Sequence, residues 1–353
     1  MNSSYKKHWP NRSVLVTGHT GFKGGWIALW LSCMGARVHG YSLVPPTTPS
    51  FFAETRLERK LASSTVGDVR DLQRLSETIK KVNPAVIFHL AAQPLVRESY
   101  RTPVETFSTN VIGTVNLLDA ARKANSVEAI VVVTSDKCYE DQKCIRPYRE
   151  DDRLGGYDPY SSSKACAELV TTAFGNSFLK SSGVQVATAR AGNVIGGGDW
   201  AAERIVPDIL RALDAGERIK LRSPNAIRPW QHVLEPLAGY LSLAEKMLEC
   251  KNDYSEAWNF GPPDSDCKPV SWIANYMGNS ICESAQDLSI VHQLHETDTL
   301  RVDSTKSKSR LGWATRWPLN RAIDETLAWH AAWKNGKNMA DFSARQIEVY
   351  QST

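Results

Sequence analysis

AVIFHLAA (85–92) and AIVVVTS (129–135) are apolar almost without a break. A strand with one wet face alternates, so consecutive apolar residues require cover on both faces. A stretch with helical spacing, roughly 103–124, lies between the two runs. That order places parallel strands at the centre of a sheet with helices above and below it. The same rhythm fills the first half of the chain. SVLVTG (13–18), RVHGYSL (37–43) and STVGDV (64–69) read as strands. GGWIALWLSCMG (24–35) and DLQRLSETIKKV (71–82) read as helices, the second with Leu72, Leu75, Ile79 and Val82 along one stripe. VQVATARAGNVIG (184–196) reads as a sixth strand running into a loop. The expected class is α/β, with a doubly wound parallel sheet.

After residue 196 the rhythm changes. GGGDW (196–200), RSPNAIRPW (222–230) and FGPPDSDCKP (260–269) are rich in turn residues and break up shorter helices. The expected division is residues 1–190 as a nucleotide-binding domain and 191–353 mainly as a smaller, loop-rich α/β substrate lobe. WNFG (258–261) is a short strand candidate that can return to the sheet, so segments near 232–262 cross the boundary.

Composition removes several classes. The 353 residues are 42% hydrophobic and 23% charged, as in an ordinary globular protein. The net charge of +4 is not gathered into a dense Lys/Arg block, which argues against a dedicated nucleic-acid binder. The 7 cysteines are odd in number and form no CxxC pair, which argues against a disulfide framework and a structural zinc site. No metal is expected. Cys138 and Cys144 read as ordinary reduced thiols. The first residues are polar, with no signal peptide and no apolar stretch long enough for a membrane span, so a cytoplasmic location is expected.

VTGHTGFKGGW sets Gly18, Gly21 and Gly24 between the first strand and the first helix. Glycines in that order allow a tight turn and close backbone approach to a pyrophosphate, and the helix start offers free N–H groups. This is the Rossmann-type arrangement for a dinucleotide, and Thr20 and Phe22 belong to the same turn. An acid at the end of the second strand would bind the ribose hydroxyls of NAD. HGYSL has none, and no arginine follows to hold a 2′-phosphate. Ser42 is the candidate ribose contact. Asp68 and Val69, in GDVRD, stand where adenine would lie; Asp68 also suits the start of the following helix.

Proton chemistry is suggested by two places. Tyr160 and Lys164, in PYSSSK, lie four apart on one helical face behind Pro159. A lysine ammonium near a phenol lowers its pKa, so Tyr160 is a candidate base. Ser135 ends the strand AIVVVTS, where its hydroxyl can bridge that phenol and a substrate hydroxyl. Asp136 and Lys137 follow it, an acid and a base side by side at the end of a buried strand.

Taken together, the glycine turn, LAAQ (90–93), Asn110, Ser135 and Tyr160-x-x-x-Lys164 resemble the extended short-chain dehydrogenase/reductase family. Within it, GHTGFKGGW, TSDKCYE and DPYSSSK resemble the 4,6-dehydratases acting on CDP-glucose. The resemblance covers nearly the whole chain. It implies NAD as cofactor, with Leu90, Ala91, Ala92 and Asn110 added to its contacts. It implies Gln93, Asn193, Arg204, Arg228 and Arg301 around the substrate. It implies loss of water across C5–C6 of a glucose oxidised at C4, and a place in deoxysugar supply for a bacterial surface polysaccharide such as O-antigen. Related dehydratases carry Asp-Glu where this chain has Asp136-Lys137. Two assignments follow: Lys137 takes the C5 proton and Asp136 is the acid for the C6 hydroxyl, or Asp136 carries most of the proton traffic while Lys137 stabilises the developing enolate. A salt-bridged pair holding the strand end is the structural alternative. A 4-epimerase would keep Tyr160 and Lys164 without needing this pair. A non-enzymatic dinucleotide sensor would need neither. The helices near 103–124 and 160–179 are apolar on more than one face. The family uses this pair as a homodimer interface, and burial within one subunit explains the pattern equally. Trp200 and Trp230 read as packing residues rather than a base-stacking shelf.

Overall fold

The computed structural model describes residues 8–141, 146–250, 253–281, 289–290 and 299–353; Cys144 lies outside them. The strands are β1 (Ser13–Thr17), β2 (Arg37–Ser42), β3 (Ser63–Val66), β4 (Val86–His89), β5 (Ala129–Val133), β6 (Gln185–Ala191), β7 (Asn193–Ile195), β8 (Lys220–Leu221), β9 (Ile227–His232), β10 (Ala257–Phe260), β11 (Cys267–Pro269) and β12 (Ser289–Ile290), which pairs with β8. Seven of them form one sheet in the order β10-β6-β5-β4-β1-β2-β3, with every neighbouring pair parallel. The strand order reverses between β1 and β4, which opens a crevice at the carboxyl ends of the strands. WNFG returns as the edge strand β10 beside β6.

The central strands are buried on both faces, as their unbroken apolar runs require. Val14, Val16, Phe88 and Val131 face one apolar layer with Trp26, Trp30 and Trp329. Leu15, Ile87, Ile130 and Val132 face the other, with Leu75, Ile79, Leu117 and Leu118. Helix α1 (Phe22–Cys33) is buried from Gly24 to Leu31, which explains why it is apolar all round rather than striped.

Three elements differ from the sequence reading. The sixth strand does not run into a loop. It stops at Ala191, and Asn193–Ile195 begins a second sheet, ordered β11-β9-β7. Gly192 makes the switch: a Cβ there would lie 2.4 Å from Pro229 Cγ and 2.9 Å from Asp136 Oδ2. The helix near 103–124 is broken into Pro103–Phe107, a π-turn at Ser108–Ile112, and Gly113–Arg122. Gly113 packs where a Cβ would be 2.6 Å from Val69 Cγ2, so the helix meets the loop after β3 at close range. The helix starting at Pro159 ends at Phe174 and passes into a second π-turn, Gly175–Leu179. No described helix is long and apolar enough to cross a membrane.

Candidate active site

One cavity of about 1010 Å³ runs along the carboxyl ends of β1, β2, β4 and β5 and across to β7 and β9. It is lined at one end by Gly18, Thr20, Gly21, Phe22, Gly24, Ser42, Asp68, Val69, Leu90, Ala91 and Ala92. The glycine turn is built for close approach. Gly18 has φ +76°, and its Cβ would lie 2.7 Å from the Ala91 nitrogen. A Cβ on Gly24 would lie 2.0 Å from the Gly18 carbonyl oxygen, so the helix start packs directly on the turn. At Gly21 a Cβ would meet only that same oxygen, at 3.3 Å, with open space beyond it. These are the contacts a pyrophosphate cradle at a helix N-terminus requires, and a dinucleotide fits them.

At the ribose corner, Thr20 Oγ1 donates to the Leu43 carbonyl (2.9 Å) and lies 2.8 Å from Ser42 Oγ, whose hydroxyl is therefore the donor of that pair. Asp68 lines the cavity, but its carboxylate is held by the Arg70 guanidinium at 2.6 Å. That hydrogen-bonded pair pulls its pKa below the usual range. The helix cap considered for Asp68 belongs to Asp71, which accepts from the Arg74 N–H. Asn116, missed in the sequence, donates to the Val69 and Arg70 carbonyls and fixes this loop.

The proton-handling residues converge at the end of β5. Asp158 caps the helix Pro159–Phe174 by accepting from the Ser161 N–H, and Pro159 holds the first helical position. Tyr160 and Lys164 thereby face the cavity from consecutive turns. Lys164 Nζ donates to the Val133 carbonyl at 3.3 Å, and burial pulls its pKa down to about 8. The lowered phenol pKa expected from this lysine is not what the site produces. Burial pushes Tyr160 up to about 12, against the Ser135 hydrogen bond that pulls it down. Desolvation of a phenolate outweighs its polar neighbours there.

Ser135 donates to Asp136 Oδ1 at 3.1 Å and accepts from the Lys137 N–H at 3.2 Å, so the three residues form one tight turn. Asp136 is 3% exposed and its Oδ2 has no hydrogen-bond partner. Burial raises its pKa, opposed by Lys137, the Ser135 hydroxyl, Arg228 and Lys23. Lys137 lines the cavity beside it. Cys138, next in the chain, is buried and its thiol is pushed well up by desolvation, which suits an inert packing residue.

Beneath this turn lies a buried ion pair that the sequence did not disclose. Arg190 and Glu168 meet at 2.8 Å, and Glu168 also accepts from Thr134 and Thr188. Arg190 also donates to Tyr139 Oη at 2.8 Å. The network ties β5, β6 and the Tyr160 helix together just behind Ser135. Its signal was an arginine inside the otherwise apolar run VATARA, with Glu168 one turn beyond Lys164.

The substrate-side candidates separate into two groups. Asn193, Arg204 and Arg228 line the cavity. Arg204 is held by Asp199 at 2.9 Å, and Arg228 is 4% exposed with its charge felt at Asp136. Gln93 is at the wall, but its amide is bonded to Thr106, the Leu95 carbonyl and the Leu95 N–H. Asn110 and Arg301 are not among the lining residues. Asn110 instead clamps Gln93 to Ser163. Arg301 lies near Asp264, at 3.4 Å. Trp200 and Trp230 line the cavity while packing, Trp200 edge-on to Trp329 and Trp333. Lys23, Arg97, Arg222 and Ser223 also line it and were not singled out from the sequence.

Residues 15–326 match the family described as GDP-mannose 4,6 dehydratase. The chain belongs to this family. A curated relative from Salmonella typhimurium, CDP-glucose 4,6-dehydratase, is 47% identical over 98% of this chain and 98% of its own length. A UDP-glucose 4-epimerase from Rhizobium leguminosarum bv. trifolii is 26% identical over 90% of this chain and 97% of its own. Among solved structures, dTDP-glucose 4,6-dehydratase from Bacillus anthracis in complex with NAD superposes with a TM-score of 0.77. It shares 21% identity, over 93% of this chain and 99% of that one. The family is an extended branch of the short-chain dehydrogenase/reductases, so the GDP-mannose 4,6 dehydratase match and the parallel sheet describe the same fold.

Proposed function

We propose that the chain is a CDP-glucose 4,6-dehydratase, an NAD-dependent hydro-lyase that converts CDP-D-glucose to CDP-4-dehydro-6-deoxy-D-glucose and water. The observation that carries this reading is the Ser135-Asp136-Lys137 turn, which faces the same cavity as Tyr160 and Lys164 in a chain 47% identical to a CDP-glucose 4,6-dehydratase. A dehydratase needs two proton-transfer groups beyond those that serve C4 oxidation, and the turn supplies them.

The cofactor site is Gly18, Thr20, Gly21, Phe22, Gly24, Ser42, Asp68, Val69, Leu90, Ala91, Ala92, Tyr160 and Lys164, with Asn110 holding the loop from behind. When bound there, NAD supplies the acceptor for the hydride leaving C4 and the donor of the hydride returning to C6. Tyr160 Oη takes the C4 hydroxyl proton, with Ser135 Oγ hydrogen-bonded between phenol and sugar. The 4-keto group acidifies the C5 proton, which Lys137 Nζ removes. The C6–O bond breaks as Asp136 Oδ2 gives its proton to the departing hydroxyl, releasing water. The buried carboxyl with a raised pKa favours this assignment, because an acid must hold its proton until the bond breaks. Lys137 Nζ would then return the proton to C5.

Arg204, Arg228 and Asn193 are proposed for the diphosphate and sugar, with Arg301 and Gln93 as outer contacts. Residues 1–190 with the returning segment carry the cofactor, and 191–353 mainly the nucleotide sugar. A homodimer is proposed through the helix pair Pro103–Arg122 and Pro159–Leu179, where Val104, Ile112, Leu169 and Phe178 stand exposed. A cytoplasmic location and a role in supplying deoxysugar for surface polysaccharide go with the same reading.

Mass spectrometry of CDP-glucose incubated with protein and NAD tests it. A product lighter by one water, without net reduced cofactor, is expected. An unchanged mass with C4 inverted would instead make this an epimerase and leave Asp136-Lys137 structural.

A further inference from the structure

Glu168 and Arg190 are charged side chains that the proposed reaction does not use. Neither lines the cavity, and both are buried, with side chains 2% and 3% exposed. Every polar atom of the pair has a partner. Arg190 forks onto the carboxylate, Nε to Oε1 at 2.9 Å and Nη2 to Oε2 at 2.8 Å. Thr134 donates to Oε1 and Thr188 to Oε2, so each carboxylate oxygen accepts twice. The remaining nitrogen, Nη1, donates to Tyr139 Oη at 2.8 Å and to the Glu150 carbonyl at 3.1 Å. Tyr139 in turn donates to Asn259 Oδ1 at 2.6 Å.

Stability does not account for such a pair. Taking two charges out of water costs about what their attraction returns, and apolar side chains of the same volume hold a fold as well. A filled fork supplies direction, because each of its bonds fixes the plane of the next. Its partners show what it aims. Thr134 immediately precedes Ser135, and Tyr139 stands two residues past Lys137. The Thr134 N–H is also bonded to the Ala189 carbonyl, and Tyr139 is bridged to Leu154. Glu168 continues the spacing of Tyr160 and Lys164 along their helix. One ion pair therefore holds both ends of the turn that carries Asp136 and Lys137, and ties them to the helix that carries Tyr160 and Lys164. That helix has separate anchors in the Asp158 cap and the Lys164 bond to the Val133 carbonyl. Inside the turn the side-chain bonds run from Ser135 to its own neighbours, so the aim of Asp136 and Lys137 depends on where the ends are held.

We propose that Glu168 and Arg190 are positioning residues for the elimination. Through Thr134 and Tyr139 they hold Asp136 and Lys137 at the spacing from Tyr160 and Lys164 that loss of water from the oxidised sugar requires. This rests on the dehydratase reading above. Loosening the Tyr139 end shifts Asp136 and Lys137, and elimination slows. Oxidation at C4, served from the separately anchored helix, continues.

The two steps are followed separately in the full chain with CDP-glucose and NAD. Stopped-flow absorbance of reduced nicotinamide reports oxidation at C4, and mass spectrometry of quenched samples reports loss of water. Tyr139→Phe keeps the ring, stacked on Tyr148, and the ion pair, and removes the hydroxyl link. Its oxidation is expected within about twofold of the unsubstituted protein and its elimination about tenfold slower. Reduced cofactor should then accumulate in the steady state, with CDP-glucose affinity unchanged. Arg190→Lys keeps the charge and loses the fork, and is expected to slow elimination about a hundredfold with the same accumulation. Should Arg190→Lys not fold, Tyr139→Phe alone decides. A purely structural network predicts that both steps fall by one factor, in proportion to a lowered Tm, with no build-up of reduced cofactor. That pattern in Tyr139→Phe, or an unchanged elimination rate, would overturn the proposal. An unsubstituted protein that turns CDP-glucose over without losing water is a different result, removing the dehydratase reading and this proposal with it.

Discussion

In the proposed reaction Asp136 is the side chain on which the elimination turns. It is buried, one of its oxygens is committed to Ser135, and the other is unpartnered beside the glycine that switches sheets. A carboxyl in that state keeps its proton near neutral pH more readily than an exposed one. Asp136→Asn keeps the shape and removes the proton, so kcat is expected to fall by about 10²–10⁴. CDP-glucose binding should change little, and stopped assays should detect the 4-keto hexose before water is lost. Lys137→Met is expected to halt the reaction at the same stage. If both C4 oxidation and elimination continue at the normal rate in that variant, the lysine only holds the strand end. Tyr160→Phe is expected to act earlier. It should abolish the transient reduced-nicotinamide absorbance that the other two retain, with kcat down by a similar factor of about 10²–10⁴.

At the scale of elements, buried carboxylates join the terminal segments to the sheet. Glu235, at the start of the helix Leu234–Glu249, accepts from the Arg316 and Trp317 N–H groups and from Tyr350 Oη. Glu245, near the end of that helix, accepts from Trp9 Nε1 at 2.6 Å. Burial raises the Glu245 carboxyl from 4.5 to about 7. A carboxyl raised on folding stabilises the fold most while it is protonated in both states, and that contribution is lost as pH rises from about 4.5 through about 7. The loss is on the order of 3 kcal/mol at most. Glu245→Gln keeps an acceptor for Trp9 without the charge. It is expected to raise Tm at about pH 8 and leave it nearly unchanged at about pH 5, read by calorimetric melting at both. Gly192→Ala belongs to the same scale. Its methyl group would press on Pro229 and Asp136 where β6 leaves the sheet, so both Tm and kcat should fall.

Among the described residues, several large apolar side chains stand exposed on one helix pair. Val104, Ile112, Leu169 and Phe178 are large, exposed and confined to the helix pair on one flank of the sheet. Their neighbours on the other side of the same helices, Leu117, Leu118 and Leu179, are fully buried in one apolar layer. Apolar residues on two faces therefore have two causes here, a core and an outer surface. The double variant Ile112→Asp, Leu169→Asp is expected to shift the sedimentation mass from two chains to one. An unchanged mass would overturn the proposed homodimer contact. The Tyr160 helix is half of this surface, so the single chain should also lose activity at low concentration.

Much of this was present in the order of residues. Short unbroken apolar runs bounded by turn residues read as strands covered on both faces, although the apolar run of α1 is a buried helix, and the glycines after the first strand mark a backbone turn that a phosphate can approach. Tyr160 and Lys164 follow from helical spacing, and Ser135, Asp136 and Lys137 from their place at a strand end. Each rests on contacts a few residues long, which sequence records directly. Tertiary structure decided the rest, because it depends on what distant segments bring together. The phenol pKa rises because burial outweighs the nearby lysine, a balance no spacing reveals. Gln93 and Asn110 bond to each other's loop, and Arg301 stands outside the cavity wall, because closure of the chain sets which polar groups are satisfied internally. Arg190 is the sharpest case: one arginine in an apolar run of the sequence, it becomes half of a buried ion pair behind the Ser135-Asp136-Lys137 turn only once Glu168 and Tyr139, 22 and 51 residues away, fold against β6.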